Sequence, residues 1–371
     1  MQYQIGIEKE NQPQSRRNFL KTAGLATLTT VVSPTILRAA DKTGRSDLVI
    51  GTGAYRYEVH HHWAKLPDQF SWQTTHNVAL DAEGLLYVIH EGRVDQPDHP
   101  SIFVFDQQGK YIRSFGNQFQ GGGHGLEVRT EGSEQFLYVC AYQQVKAFAK
   151  LTLKGETVWQ KYAPMESGVY LKNEDTERAK RWGRDAFMPT NFAFLDDGGF
   201  LLADGYGSFY IHRYDKDGNW ISKFGGPGDG QGTFATPHGI WIDKRPGREE
   251  RIIVCDRAHH TLQYLTLEGE YIETLEGYGL PANIDTWNDL MLVPELHARV
   301  SILDGENNVV ARLGDDVKRI TQTEEKIREL SEKWIPGKFV HPHDACFDAD
   351  GNIYVAEWVA TGRVTKLRRV S

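Results

Sequence analysis

The stretch "FVHPHDACFDADGNIYVAEW", residues 339–358, sets His341 and His343 around a proline, follows them with Asp344, and runs into an alternating apolar strand. Imidazole and carboxylate are the side chains that hold divalent ions and move protons near neutral pH. Related stretches stand at "TTHNVALDAEGLLYV" (74–88), "GGHGLEV" (122–128) and "TPHGIWID" (236–243), so the histidine occupies a repeated position. Neutral imidazoles meeting at one point are what Zn²⁺ requires, with an open fourth position when three protein ligands bind. The bland occupant of such a position is a polar, water-filled mouth of hydrogen-bonded His and Asn. "VHHHW" (His60 to His62) differs, because three neighbours on an extended segment cannot all face one ion; it reads as surface or entrance lining.

A repeat brings those positions together. Six copies of one template follow one another, each running from a polar residue through an alternating strand, an acidic-Gly turn, further strands and a closing "FG" or "LG". About four short strands per copy is the content of one propeller blade, and six blades close a ring around a channel. The expected fold is therefore all-β, a six-bladed β-propeller over 41–371; a sandwich of similar strands explains the punctuation less well. The last copy ends after its third strand, and "DLVIGTGAYRYEV" (47–59) is expected to supply the missing outer one. First strands line the channel, so His76, His124, Asn191, His238, Asn283 and His343, at the heads of the six copies, are expected to converge. "NEDTERAKRWGRDAF" (173–187) and "TQTEEKIRELSEKW" (321–334) read as two short charged helices inserted between blades, as lids or connectors on the channel face.

Composition narrows the partners. A net charge of −8 gives no basic surface for phosphate backbones, which argues against nucleic acid. With 37 glycines against 14 prolines, tight turns between short strands are expected. Cys140, Cys255 and Cys346 are an odd number in strand-like runs and read as buried small hydrophobes, with one disulfide open to them. Residues 1–40 read as a twin-arginine export signal: "SRRNFLK", a weakly apolar stretch, then small residues. That places the mature chain in the periplasm or outside the cell, and Pro34 with so short an apolar run argues against a membrane span.

Over roughly 60–371 the motifs resemble NHL-repeat propellers, and among them the catalytic core of peptidyl-α-hydroxyglycine α-amidating lyase and its bacterial relatives. "GGHGLEV", "TPHGIWID" and "HPHDACFD" are similar to the blade starts whose histidines hold zinc there, which implies His124, His238 and His343 as ligands. "LLADGYGSFYIHRYDKDG" resembles the segment with the active-site tyrosine and "VCDRAHHTLQYL" the one with an arginine, implying Tyr206 as general base and Arg257 as the group that orients a carboxylate. A structural calcium would fall on Asp344 with the carbonyls of Val78 and Leu126. Three positions depart from the family: Glu91 stands where the first blade carries an arginine, with Arg93 two residues on; His76 stands where the lyase has no histidine; His341 replaces a methionine. His76, Glu91, Arg93, Asn191, Asn283 and His341 are accordingly expected around the substrate.

The resemblance implies a lyase splitting a hydroxyglycine-type N-acyl hemiaminal into an amide and glyoxylate. One alternative is a non-catalytic exported propeller that binds a peptide or glycan, or a protein partner, on its face. Another is a metal-dependent hydrolase or lactonase with an acidic ligand set, for which Glu91 and Asp344 are the obvious carboxylates.

Overall fold

The computed structural model describes residues 48–177 and 180–370, so the expected export segment lies outside the described residues. No helix among them is long and apolar enough to cross a membrane. The acidic-Gly punctuation of the sequence works as a recurring turn. Asp81, Asp106, Asp215, Asp304 and Asp348 each accept from the backbone N–H groups two and four residues on, at 2.8–3.0 Å. A carboxylate that satisfies two turn amides fixes where each strand reverses.

Between those turns the alternating runs pair as six antiparallel sheets, one per sequence repeat. Blades 1 to 5 are four-stranded and cover 75–115, 123–161, 191–225, 237–275 and 285–313. Blade 6 has three strands from 342–369; Tyr55–His60 pairs with Arg363–Arg369 as its fourth, in the register Tyr57↔Arg369 and Val59↔Leu367. The expected closing strand is thus present, and Val49–Thr52 folds back on it as a fifth. Six buried apolar clusters each join two neighbouring blades, including blade 6 to blade 1 through Val88, Phe103, Tyr354 and Ala356. The core is therefore a closed ring of junctions, and the innermost strand of every blade faces the axis.

The inserted helices depart from expectation. Among its described residues, 173–187 forms turns and bends and no helix. In the second insertion the α-helix lies earlier, at Val317–Gln322, and is followed by two 3₁₀ turns, Ile327–Glu329 and Ser331–Lys333. A six-residue helix is too short to be stable alone; Ile327 packs with Ile320, Trp334, Val340 and Val359 in a small core of its own.

Candidate metal centre

Four histidines meet at one end of the channel. The rings of His343, His76, His124 and His238 form a closed quadrilateral, with neighbouring centroids 4.6, 4.7, 4.8 and 4.7 Å apart in that order round the ring, and 4.9 Å across the His124–His343 diagonal. Strand backbone aims them there through a shared device. The inner-strand register slips at Thr75/Asn77, Gly123/Leu126, Pro237/Ile240 and Pro342/Asp344, so each histidine sits in a bulge. A bulge re-aims a side chain that a regular pleat would send elsewhere.

Three of the four are locked in one tautomer. Nδ1 of His124 lies 2.8 Å from the carbonyl of Thr190, Nδ1 of His238 2.6 Å from that of Ala282, and Nδ1 of His343 2.8 Å from that of His76. A carbonyl can only accept, so Nδ1 carries the hydrogen and Nε2 offers a lone pair. Burial pushes all three well below the ordinary imidazole range, so they are neutral at pH 7. The Nε2 atoms of His124 and His238 are nonetheless 3.2 Å apart, and Nε2 of His343 is buried without a partner. Two converging lone pairs and a buried orphan acceptor are the arrangement a cation resolves.

His76 shares the layer but not the anchor. Both ring nitrogens are buried and lack a hydrogen-bond partner; Nε2 faces Glu91 at 3.5 Å. His76, His124 and His343 offer ligand atoms that all lie within 4.8 Å of one another. Burial pushes the Glu91 carboxyl up, and His76 with Gln143 more than offsets it, leaving it below the usual range. The two departures of the sequence from the lyase pattern, His76 and Glu91, are therefore neighbours.

Tyr206 and Arg257 stand beside the histidines. The Tyr206 hydroxyl is 2.9 Å from Nε2 of His238 and 3.4 Å from Nε2 of His124, and it accepts a hydrogen bond from Arg257 at 2.9 Å. Arg257 is thus turned to the tyrosine, while Asp256 is occupied by His259 and Gln263. Sequence reasoning missed Tyr142, whose ring centroid lies 5.0 Å from those of both His124, edge-on, and Tyr206, tilted. It also missed Arg328, carried in by the second insertion, whose guanidinium lies 3.6 Å over the ring of Trp358 and is lowered in pKa by burial, against the pull of nearby Glu91.

Other expected residues lie elsewhere. Arg93 is exposed and pairs with Asp95. His341 donates to the carbonyl of Leu296 and packs beside Trp358, next to Arg328 and outside the ring of four. His61 bonds Thr365 and Gly337, which ties it to blade 6 and to the segment that leads into it.

Asn191 and Asn283 belong one step deeper. Asn77, Asn191 and Asp344 pair with Ile89, Ala203 and Ala356 at equivalent places in their second strands, so the histidines' counterparts in blades 3 and 5 are Thr190 and Ala282. The asparagines instead build an amide and carboxylate layer. Asn191 donates to Glu127 and to Asn283, Asn283 donates to Asp344 at 2.6 Å, and the amide of Val78 donates to Asp344 at 2.8 Å. An antiparallel residue exchanges both its groups with its partner or neither, so the Val78 carbonyl shares that open edge; Leu126 packs its side chain into the blade 1–2 core. Beyond lies a cavity of about 140 Å³ lined by Glu127, Asp285 and Asp344 among others. Burial raises all three carboxyls, Asp344 to about 7 and Asp285 to about 6.

Sheet topology and site together define a six-bladed β-propeller with a histidine-rich axial centre, a class that comparison with known proteins supports. Residues 192–284 match the DUF5128 family, described as a 6-bladed beta-propeller. The chain is weakly similar to peptidyl-alpha-hydroxyglycine alpha-amidating lyase 1 of Drosophila melanogaster, 25% identical over a match covering 47% of this chain and 34% of the fly protein. The matched part thus spans about a third of that relative. Among solved structures, a gluconolactonase of Xanthomonas campestris superposes with a TM-score of 0.55 at 12% identity, covering 89% of this chain and 99% of its own. A catalytically inactive virginiamycin B lyase variant from Staphylococcus aureus, solved with quinupristin, superposes at 0.51 and 13%, covering 84% and 100%. At such identities these structures speak to the fold.

Proposed function

We propose that this protein is a metal-dependent, lyase-like enzyme that splits a hydroxyglycine-type N-acyl hemiaminal into an amide and glyoxylate at the histidine end of the channel. The observation that carries the reading is the set of buried Nε2 lone pairs turned toward one another beside Tyr206 and Arg257. His124, His238 and His343 would hold the ion, Zn²⁺ by preference for three imidazoles, and when bound it supplies Lewis acidity. Arg257 and Arg328 present cationic groups to the substrate carboxylate. Tyr206, as the phenolate that Arg257 and a bound dication would favour, would take the proton of the substrate hydroxyl; as the C–N bond breaks, that proton returns to the departing amide nitrogen. Tyr142, Trp182 and Tyr206 wall the site with aromatic surface that limits water.

Elemental analysis of the purified protein beside His124→Ala, His238→Ala and His343→Ala, with glyoxylate measured from an N-acyl-α-hydroxyglycine, tests this. Full zinc in all three variants would overturn it. The proposal includes a structural Ca²⁺ at Asp344 and export by the twin-arginine route, the latter checked by whether Arg16→Lys with Arg17→Lys keeps the protein in the cytoplasm.

A metal-dependent lactonase is the second reading, favoured by the deeper layer. Glu127 and Asp285 join Asp344 there, so the acidic set is larger than Glu91 and Asp344 alone, and Asn191 and Asn283 add amide oxygens. Release of a ring-opened acid from a lactone that is lost in Glu127→Gln but kept in His124→Ala would favour this reading over the lyase.

A further inference from the structure

We infer that His76 is a fourth ligand of the same ion, oriented by Glu91, so that the centre is a four-imidazole site. The inference rests on the metal-centre reading above and goes beyond its three histidines. The four rings close one quadrilateral with sides of 4.6–4.8 Å, and His76 occupies the corner between His343 and His124. Nitrogens bound to one ion at about 2.0–2.1 Å lie roughly 3 to 4 Å apart, depending on geometry; the ligand atoms of His76, His124 and His343 fall within 4.8 Å before any ion draws them in. A histidine present only to fill space would have its nitrogens satisfied, as His90 and His212 do in the blades through Pro100 and Tyr170. Nδ1 of His76 is buried without a partner, and Nε2 has only the Glu91 carboxylate, at 3.5 Å.

Glu91 supplies what the backbone carbonyls supply to the other three. Its Oε2 faces Nε2 of His76 at 3.5 Å, and its other oxygen is held by Gln143. A carboxylate behind an imidazole fixes the tautomer and raises its basicity toward a metal. Nε2 then carries the hydrogen, and Nδ1 is the nitrogen left for the ion. An arginine at position 91 would present donors to that imidazole and could not serve this role. The histidine at 76 and the acid at 91 thus form one functional pair.

Four imidazoles change what the ion can do. Four imidazoles would fill a tetrahedral set, so substrate would bind as a fifth ligand, which Zn²⁺ reaches by expanding its coordination and which Fe²⁺, Co²⁺ or Ni²⁺ accept readily. A fourth imidazole would favour an ion that takes a further ligand, so that substrate can still bind.

Co²⁺ titration of chelator-stripped protein tests this, with visible absorption reporting coordination and a competing chromophoric chelator reporting affinity. The anchor of His343 is the main-chain carbonyl of residue 76, so replacing that side chain leaves the other three anchors in place. His76→Ala and His76→Gln, checked for native circular dichroism, are expected to shift the Co²⁺ spectrum and weaken affinity at least tenfold. Glu91→Gln is expected to weaken it by about 10- to 100-fold, as loss of an outer-shell carboxylate does. One Co²⁺ bound by wild type, with unchanged spectrum and affinity in both His76 variants, would overturn the fourth ligand and leave the three-histidine centre standing. Failure of wild type to bind Co²⁺, Zn²⁺ or Fe²⁺ at all would overturn both.

Discussion

At the scale of single residues, chemistry and ion binding separate. Tyr206 touches two imidazoles and Arg257 yet is not required to hold the ion, so Tyr206→Phe is expected to keep full metal content while kcat falls by about 10²- to 10⁴-fold, the usual worth of a positioned acid–base group. Glyoxylate release and elemental analysis on one sample check both halves. The deeper layer carries its own signature. Asp344 and Asp285 are raised to about 7 and about 6 by burial, so the native state keeps protons that the unfolded chain has lost. For a carboxylate raised in this way, stability declines as pH climbs from the unfolded value near 4 through the folded one. A cation in this layer removes that penalty and releases protons as it binds. Ca²⁺ is therefore expected to raise the melting temperature more at pH 8 than at pH 5.5; a hundredfold excess over Kd adds about 2.7 kcal/mol of stability. Differential scanning calorimetry at the two pH values reads this, and Asp344→Asn is expected to abolish the difference.

At the scale of elements, the site shows what a sequence can and cannot reveal. The histidines were legible because a repeat makes residues at equivalent places converge, and the Asx turns that punctuate it are read directly from Asp and Gly. Asn191 and Asn283 were misplaced by one residue because Thr190 and Ala282, not histidines, stand at the equivalent position in blades 3 and 5, and nothing in the sequence marks it there. Arg328 was illegible for another reason: it lies in an insertion of no repeat, and only its packing on Trp358 brings it in. Arg328→Ala is expected to raise KM for an anionic substrate about tenfold with little change in kcat or Tm, which steady-state kinetics checks; an equal rise in KM for a neutral analogue would point to insertion packing instead. The glycines after His124 and His238 have a structural reason too. A Cβ on Gly125 would stand 2.4 Å from the Thr190 carbonyl, and one on Gly239 2.7 Å from that of Ala282, the very oxygens that anchor the preceding histidines. Gly239→Ala is expected to cost about 1–3 kcal/mol by overpacking and to weaken metal binding with it. Thermal unfolding and Co²⁺ titration of one variant test that coupling.

At the scale of the whole molecule, the centre depends on a ring closed by chain from its two ends. His343 in blade 6 is anchored by residue 76 in blade 1, so the proposed ligands span the junction where the ring shuts. That junction is held by the blade 6–1 core and, on the outer side, by pairing of Tyr55–His60 with Arg363–Arg369, with Tyr57, Val59 and Leu367 buried against blade 5. Two truncations separate closure from bulk. Removal of residues 1–54 takes away the fifth strand, which pairs only with the fourth in the sheet order, and is expected to leave metal binding intact. Removal of 1–60 takes away the fourth strand as well, strips the cover from Leu367 and leaves Arg363–Arg369 as an open edge. Burial of two large side chains is worth several kcal/mol, about 1.5–3 each, and an open apolar edge invites pairing with another chain. The longer truncation is therefore expected to lose its single cooperative transition, to associate on size exclusion, and to lose Co²⁺ affinity, although every ligand is still present. Retention of wild-type affinity by a monomeric 61–371 chain would show that blade contacts alone align the imidazoles, and that the N-terminal strand has no part in holding the centre.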